Sequence, residues 1–163
     1  MNFRTQVSRA LDEEHRATLE LMDRVERALA KPVQAGVAPD VEVGKMASQL
    51  ARHVQQEIDR HFAFEERLFP RLEESGEGDI GSLLSEEHRT ITAVVNQLSP
   101  LARDAAAGVL DPVAWSVLRR TVVELIERLR GHIDKETMAL LPLLDNLLDD
   151  VADDELALRY AES

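Results

Sequence analysis

Apolar residues recur at intervals of three and four along most of the chain, the signature of helices that each bury one face. Four long segments carry this period, separated by short runs of breakers. The first, about residues 5–30, sets Val7, Leu11, Leu19, Met22 and Val25 on one stripe, and Pro32, Gly36 and Pro39 are read as ending it. The second runs to about Glu74 with Leu50, Val54, Ile58, Leu68 and Leu72 on one face, beginning near Asp40 or just after Gly44. Ser75-Gly76-Glu77-Gly78-Asp79 is the clearest turn. The third covers about residues 80–107, with Leu84, Ile91, Val95 and Leu98 inward and Gly108 closing it. Asp111-Pro112 reads as an N-cap followed by a first-turn proline and opens the fourth, which runs to about Leu148 with Val122, Leu125, Leu129 and Leu140 inward. Pro70, Pro100 and Pro142 are each expected to kink or end their helix. The acidic stretch over 153–160 predicts a short fifth helix, since early carboxylates suit a helix N-terminus. Short loops between long helices imply antiparallel neighbours. The expected fold is therefore all-α: an up-down-up-down four-helix bundle over about 5–148 and an acidic C-terminal segment, 149–163, in one domain spanning 1–163.

Composition narrows the chemistry. The chain has 163 residues, long enough to bury a core without staples, and no cysteine. That excludes disulfides, zinc–thiolate and iron–sulfur sites, and thiol nucleophiles. A net charge of −12 argues against nucleic acid or an anionic membrane as partner. No uncharged apolar run reaches the ~20 residues of a bilayer span. The opening Met1-Asn2-Phe3-Arg4 starts no signal-peptide hydrophobic region, so a cytoplasmic location is expected.

The halves repeat one another. Glu14-His15-Arg16 recurs as Glu87-His88-Arg89, 73 positions on, and His61-x3-Glu65 recurs as His132-x3-Glu136, 71 positions on. Pro70 and Pro142 follow the second motif in each half. An internal repeat of about 72 residues is the simplest account.

All four of these histidines, with Glu65 and Glu136, fall on the apolar stripes. Histidine and glutamate four apart share one helix face. Two buried, unpaired carboxylates would cost several kcal/mol each or be forced to protonate; a multivalent cation removes that cost. Counting from the turns matches the heights. Nineteen residues separate His88 from Ala107 and twenty separate Pro112 from His132; ten separate Glu65 from Ser75 and eight Ile80 from His88. His15 and His61 match if the second helix starts near Lys45, as Gly44 favours; a start at Asp40 leaves about a turn and a half of mismatch.

Six converging ligands exceed the four of tetrahedral zinc. They suit two metals about 3.5–4 Å apart, bridged by both glutamates. Two histidines on each metal, the shared carboxylates and one shared oxo or hydroxo group make five bonds apiece, leaving each an open position for a small ligand. Nitrogen-and-carboxylate ligation without sulfur suits iron or manganese, and zinc also accepts it. One His-x3-Glu, or one buried histidine, is ordinarily a hydrogen-bonded core or surface feature; six on matched stripes are not. His53, about 80° around its helix from His61, reads as a surface or rim histidine. The Glu14/Arg16 and Glu87/Arg89 pairs read first as surface charges, with support of the metal-ligating residues from behind as the lesser alternative, Trp115 and Tyr160 as packing residues, and 149–155 as a solvated cap. The Glu-x-x-His motif of ferritin-like centres is missing; only Asp12 precedes a histidine, His15, by three.

The order His15, His61/Glu65, His88, His132/Glu136 resembles the hemerythrin-like family of HHE cation-binding domains, over about residues 5–148. The resemblance implies a non-haem diiron centre in mid-bundle with those six residues as ligands. Two features depart from oxygen-carrying hemerythrins: Thr92 stands where they have a fifth histidine, and His132-x3-Glu136 replaces their His-x4-Asp. The four-histidine, two-glutamate set looks more like bacterial members linked to iron-centre repair, nitric oxide and peroxide stress. The lack of cysteine argues against thiol-assisted iron delivery. Two functions are expected of such a site. One is a module that binds or senses dioxygen, nitric oxide or iron. The other is a diiron enzyme acting on peroxide, dioxygen or nitric oxide. A metal-free structural bundle is the remaining reading.

Overall fold

A computed structural model of the protein describes residues 3–30 and 40–162. Its elements are α1 (Gln6–Leu29), α2 (Val41–Glu57), a π-helical turn π1 (Ile58–Phe62), α3 (Ala63–Glu74), α4 (Gly78–Ala106), α5 (Pro112–Lys135), a second π turn π2 (Glu136–Leu140), α6 (Leu141–Leu147) and α7 (Asp150–Ala161). α2, π1 and α3 run on as one rod, and so do α5, π2 and α6; with α1 and α4 they are the four rods of the bundle. α1 packs on the second and fourth rods, and α4 packs between those same two. α7, the predicted fifth helix, starts three residues earlier than expected and lies against α1. No described helix is long and apolar enough to cross a membrane.

The local signals act as their chemistry predicts. Asp111 accepts from the Ala114 N–H at 2.8 Å, with Pro112 in the first turn behind it. Gly76 and Gly108 carry positive φ, +87° and +73°, and close the rods before them. The residues read as ending the first helix, Pro32, Gly36 and Pro39, lie outside the described residues.

Several expectations are corrected. Of the two outcomes expected of the prolines, an end to the helix does not occur at Pro70 or Pro100, which sit inside α3 and α4, and Pro142 falls in the first turn of α6 just after π2. Leu19 and Ile58 are only half-buried. α2 begins at Val41 under an Asp40 cap, not near Lys45. Gly44 does not start the helix: it marks where α2 meets α4 most closely, since a Cβ there would lie 2.5 Å from the Ala105 carbonyl carbon. That contact sets the height that counting from the first loop missed. Seventeen residues separate Gly44 from His61, and seventeen separate His88 from Ala105. Asp153, read as part of a solvated cap, is buried and accepts from the Gln6 and Val7 N–H groups at 2.7 and 3.0 Å. α7 thereby satisfies donors that the first turn of α1 leaves open.

The apolar core falls into two clusters. One holds Met22, Val25, Leu50, Val54, Ile91, Leu98 and Leu125; the other holds Val7, Leu11, Phe64, Leu68, Leu84, Leu140 and Leu156. On α1, α4 and the fourth rod, His15, His88, His132 and Glu136 lie at the sequence boundary between the two clusters; on the second rod His61 and Glu65 flank the crossover from Phe62 to Phe64.

Candidate metal centre

All six predicted residues are brought together, each at most 4 % exposed. One group is His15, His61, Glu65 and Glu136; the other is His88, His132, Glu65 and Glu136, each with donor atoms within 4.8 Å of one another. The two glutamates belong to both. Glu65 turns Oε1 to His61 Nε2 at 3.1 Å and Oε2 to His88 Nε2 at 3.4 Å. Glu136 turns Oε2 to His15 Nε2 at 2.8 Å and Oε1 to His132 Nε2 at 2.7 Å. The imidazole rings pair likewise, His15 with His61 at 5.1 Å between centroids and His88 with His132 at 4.9 Å.

Close as they are, most of these atoms are not hydrogen-bonded. Nε2 of His15, His88 and His132, Oε2 of Glu65 and Oε1 of Glu136 are buried with no hydrogen-bond partner. The atoms converge without the alignment a hydrogen bond needs, as lone pairs do when aimed at a common centre. Unpaired buried acceptors are costly, so the donor set fits cations. Without one, burial works against charge, yet the carboxylates of Glu65, Glu14 and Glu136 hold the His61 imidazole well above its ordinary pKa. Burial likewise opposes ionisation of Glu136, and His132, His15 and His88 overcome it and hold its carboxyl well below the usual range.

Each outward Nδ1 has its own partner. His61 meets Glu14 Oε2 at 3.1 Å, His132 meets Glu87 Oε2 at 3.1 Å, His88 meets Glu66 Oε1 at 3.0 Å and His15 meets Thr137 Oγ1 at 3.4 Å. With Nε2 turned inward, Nδ1–H is the donor in each. Glu14 and Glu87 therefore take the lesser of the two roles expected of them, supporting the inward histidines, and are not surface charges. Their neighbours Arg16 and Arg89 are, pairing with Asp12 and Glu86. Glu14 also accepts from the Tyr160 hydroxyl and pairs with Arg60, while Lys135 meets Glu87 at 2.7 Å. Tyr160 is thus more than packing; burial, then Glu14, raises its pKa. Trp115 is a core residue as read. The signal that could have found Glu14 and Glu87 was present, since a glutamate precedes the lone histidine in both halves. Glu66 and Tyr160 carried none.

His53 lies outside both groups, as expected of a rim histidine. Its side chain is 31 % exposed, 2.8 Å from the Thr18 hydroxyl and 3.4 Å from Glu57. It lines a cleft of about 430 Å³ that reaches Glu14, Arg60 and His61. Around the other pair the walls are aromatic: Phe62 stacks on His88 at 3.9 Å between centroids and meets His132 edge-on at 5.2 Å.

No curated protein matches the chain. Residues 6–144 match the family model described as the Hemerythrin HHE cation binding domain, a span that takes in all six inward residues and runs from α1 into α6. The chain belongs to the hemerythrin HHE cation-binding family, a helical bundle that binds metal cations.

Proposed function

We propose that His15, His61, Glu65, His88, His132 and Glu136 hold two iron ions, one between His15 and His61 and the other between His88 and His132, with both glutamates bridging. Manganese and zinc are the other metals such a donor set accepts. The observation that carries this reading is the set of buried, unpartnered nitrogen and oxygen atoms converging from four rods, each glutamate sending one oxygen to each histidine pair. Bound there, a pair of irons supplies electrons and Lewis acidity to a small ligand. The chain's own residues do the rest. Glu14, Glu66 and Glu87 orient three of the imidazoles, and Phe62 stacks on His88 and meets His132 edge-on. The function we assign is to bind or sense a small ligand, dioxygen or nitric oxide, or iron itself.

Metal analysis of the purified protein, alongside its near-ultraviolet and visible spectrum, tests this first. About two irons per chain are expected. Glu65→Ala or Glu136→Ala should lower that content, and His53→Ala should not. Equal loss in His53→Ala would falsify the ligand set. Stopped-flow mixing of the reduced protein then separates the two activities: a lasting ligand complex marks a binding module, and repeated turnover marks the alternative, an enzyme acting on peroxide, dioxygen or nitric oxide.

A further inference from the structure

α7 lies beyond the residues that match the family, 6–144, yet it reaches the polar layer. Of its twelve residues Asp153, Leu156 and Tyr160 are the buried ones, a stripe at intervals of three and four. Asp153 grips the start of α1, and Leu156 joins the apolar core. Tyr160, one turn further on, meets the polar layer. Its hydroxyl donates to Glu14 Oε2, the same oxygen that accepts from His61, and lies 3.4 Å from His61 Nδ1. Its ring meets the His61 imidazole edge-on at 6.4 Å and packs on Phe64 at 4.6 Å between centroids. Arg60 lies over that ring, 4.6 Å from its centroid, and pairs with the other oxygen of Glu14. One carboxylate thus joins α7 to an inward histidine. A twelve-residue helix is marginal by itself in water, and a stripe of three residues buries little. α7 therefore belongs to the part of the fold that opens before the bundle does. When it opens, Glu14 loses a donor and gains water, and the His61 ring loses what fixes its orientation. A ligating imidazole depends on that support.

We propose that Tyr160 is a positioning residue that couples the docking of α7 to the metal centre: docked, it holds Glu14 behind His61, and a metal on His61 in turn holds α7 in place. This inference rests on the metal reading, with His61 as a ligand. The two effects are one coupling free energy, so docking tightens metal binding by the factor by which metal tightens docking. A site that senses needs an element whose state follows its occupancy, and α7 supplies one.

The test uses the full chain and iron(II) alone, without oxygen, its stoichiometry measured before anything else. Tyr160→Phe keeps the ring against Phe64 and removes the hydroxyl. It should bind iron at least about fivefold more weakly in competition with a chelator. In a Glu14→Gln background the same change should cost little, because the hydroxyl then has no carboxylate to hold. Equal losses in both backgrounds would mean that Tyr160 only packs, and overturn the proposal. Amide hydrogen exchange gives a readout that needs no variant: in wild-type protein, iron should slow exchange across α7 by at least about the same fivefold factor. Tyr160→Phe should lose that slowing while the bundle keeps its own. Iron bound with α7 exchanging at an unchanged rate overturns the coupling and leaves the metal reading standing. A chain that takes up no iron overturns both.

Discussion

Glu14 is the chain neighbour of His15, yet its carboxylate accepts from His61 on the adjacent rod, and Glu87 reaches past His88 to His132 in the same way. Adjacent residues on a helix point about 100° apart, so a glutamate beside an inward histidine faces sideways, toward the next helix. Burial raises the pKa of both carboxyls, but their donors outweigh it and hold them below the usual range: His61, Tyr160 and Arg60 for Glu14, Lys135 and His132 for Glu87. They stand ready as anions behind the imidazoles. Removing either partner should cost metal affinity without removing a ligand. We expect Glu87→Ala to weaken metal binding about 10–100-fold, read by equilibrium competition with a chelator. Arg16→Ala, which loses only the pair between its exposed guanidinium and the buried Asp12, should leave it unaltered.

The rods meet at heights set by their tightest contact. Gly44 lies against the Ala105 carbonyl carbon, and a side chain there has nowhere to go because the obstacle is backbone. Gly44→Ala should therefore cost about 1–3 kcal/mol, lowering Tm by about 2–10 °C. Thermal unfolding followed by far-ultraviolet circular dichroism would show it, and an unchanged Tm would mean that α2 and α4 can part there at no cost. The two π turns are the other decisive local feature. π1 contains His61 and π2 begins at Glu136, so each occupies part of a His-x3-Glu motif, but at different places in it. Such turns insert one residue into the hydrogen-bonding ring and gather at functional sites. An unbroken helical period cannot announce them.

Across the whole molecule, the polar layer interrupts an apolar core contributed by all four rods, so its charge state is part of the stability of the fold. In metal-free protein, burial alone would lower the pKa of His88, but Glu136, Glu65 and Glu66 raise it from 6.5 to about 9. A group raised in the folded state stabilises fully below its unfolded value and loses that contribution as pH climbs through about 9. Metal binding needs the neutral imidazole, so affinity changes in the opposite direction and uptake releases protons. The Tm gap between metal-loaded and chelator-stripped protein should therefore widen from pH 6.5 to about 9. Calorimetry of both forms would measure it, and a gap that narrows over that range would mean the metal sits elsewhere.

How much of this was legible divides along physical lines. The helices, the turn at Gly76, the Asp111-Pro112 start and the inward six are local or periodic properties, written in spacings of three, four and about 72. They follow from backbone geometry and from the cost of burying charge, and these act wherever the pattern occurs. The bridging aim of each glutamate oxygen, the carboxylates behind the imidazoles, the reach of Tyr160 from α7 and the capping of α1 by Asp153 depend on how far one helix slides and turns against another. That offset is settled by side chains meeting across the interior, as at Gly44 and Ala105. A periodicity holds no record of it, so which residues face inward belonged to the sequence, and which atoms meet belonged to the tertiary structure.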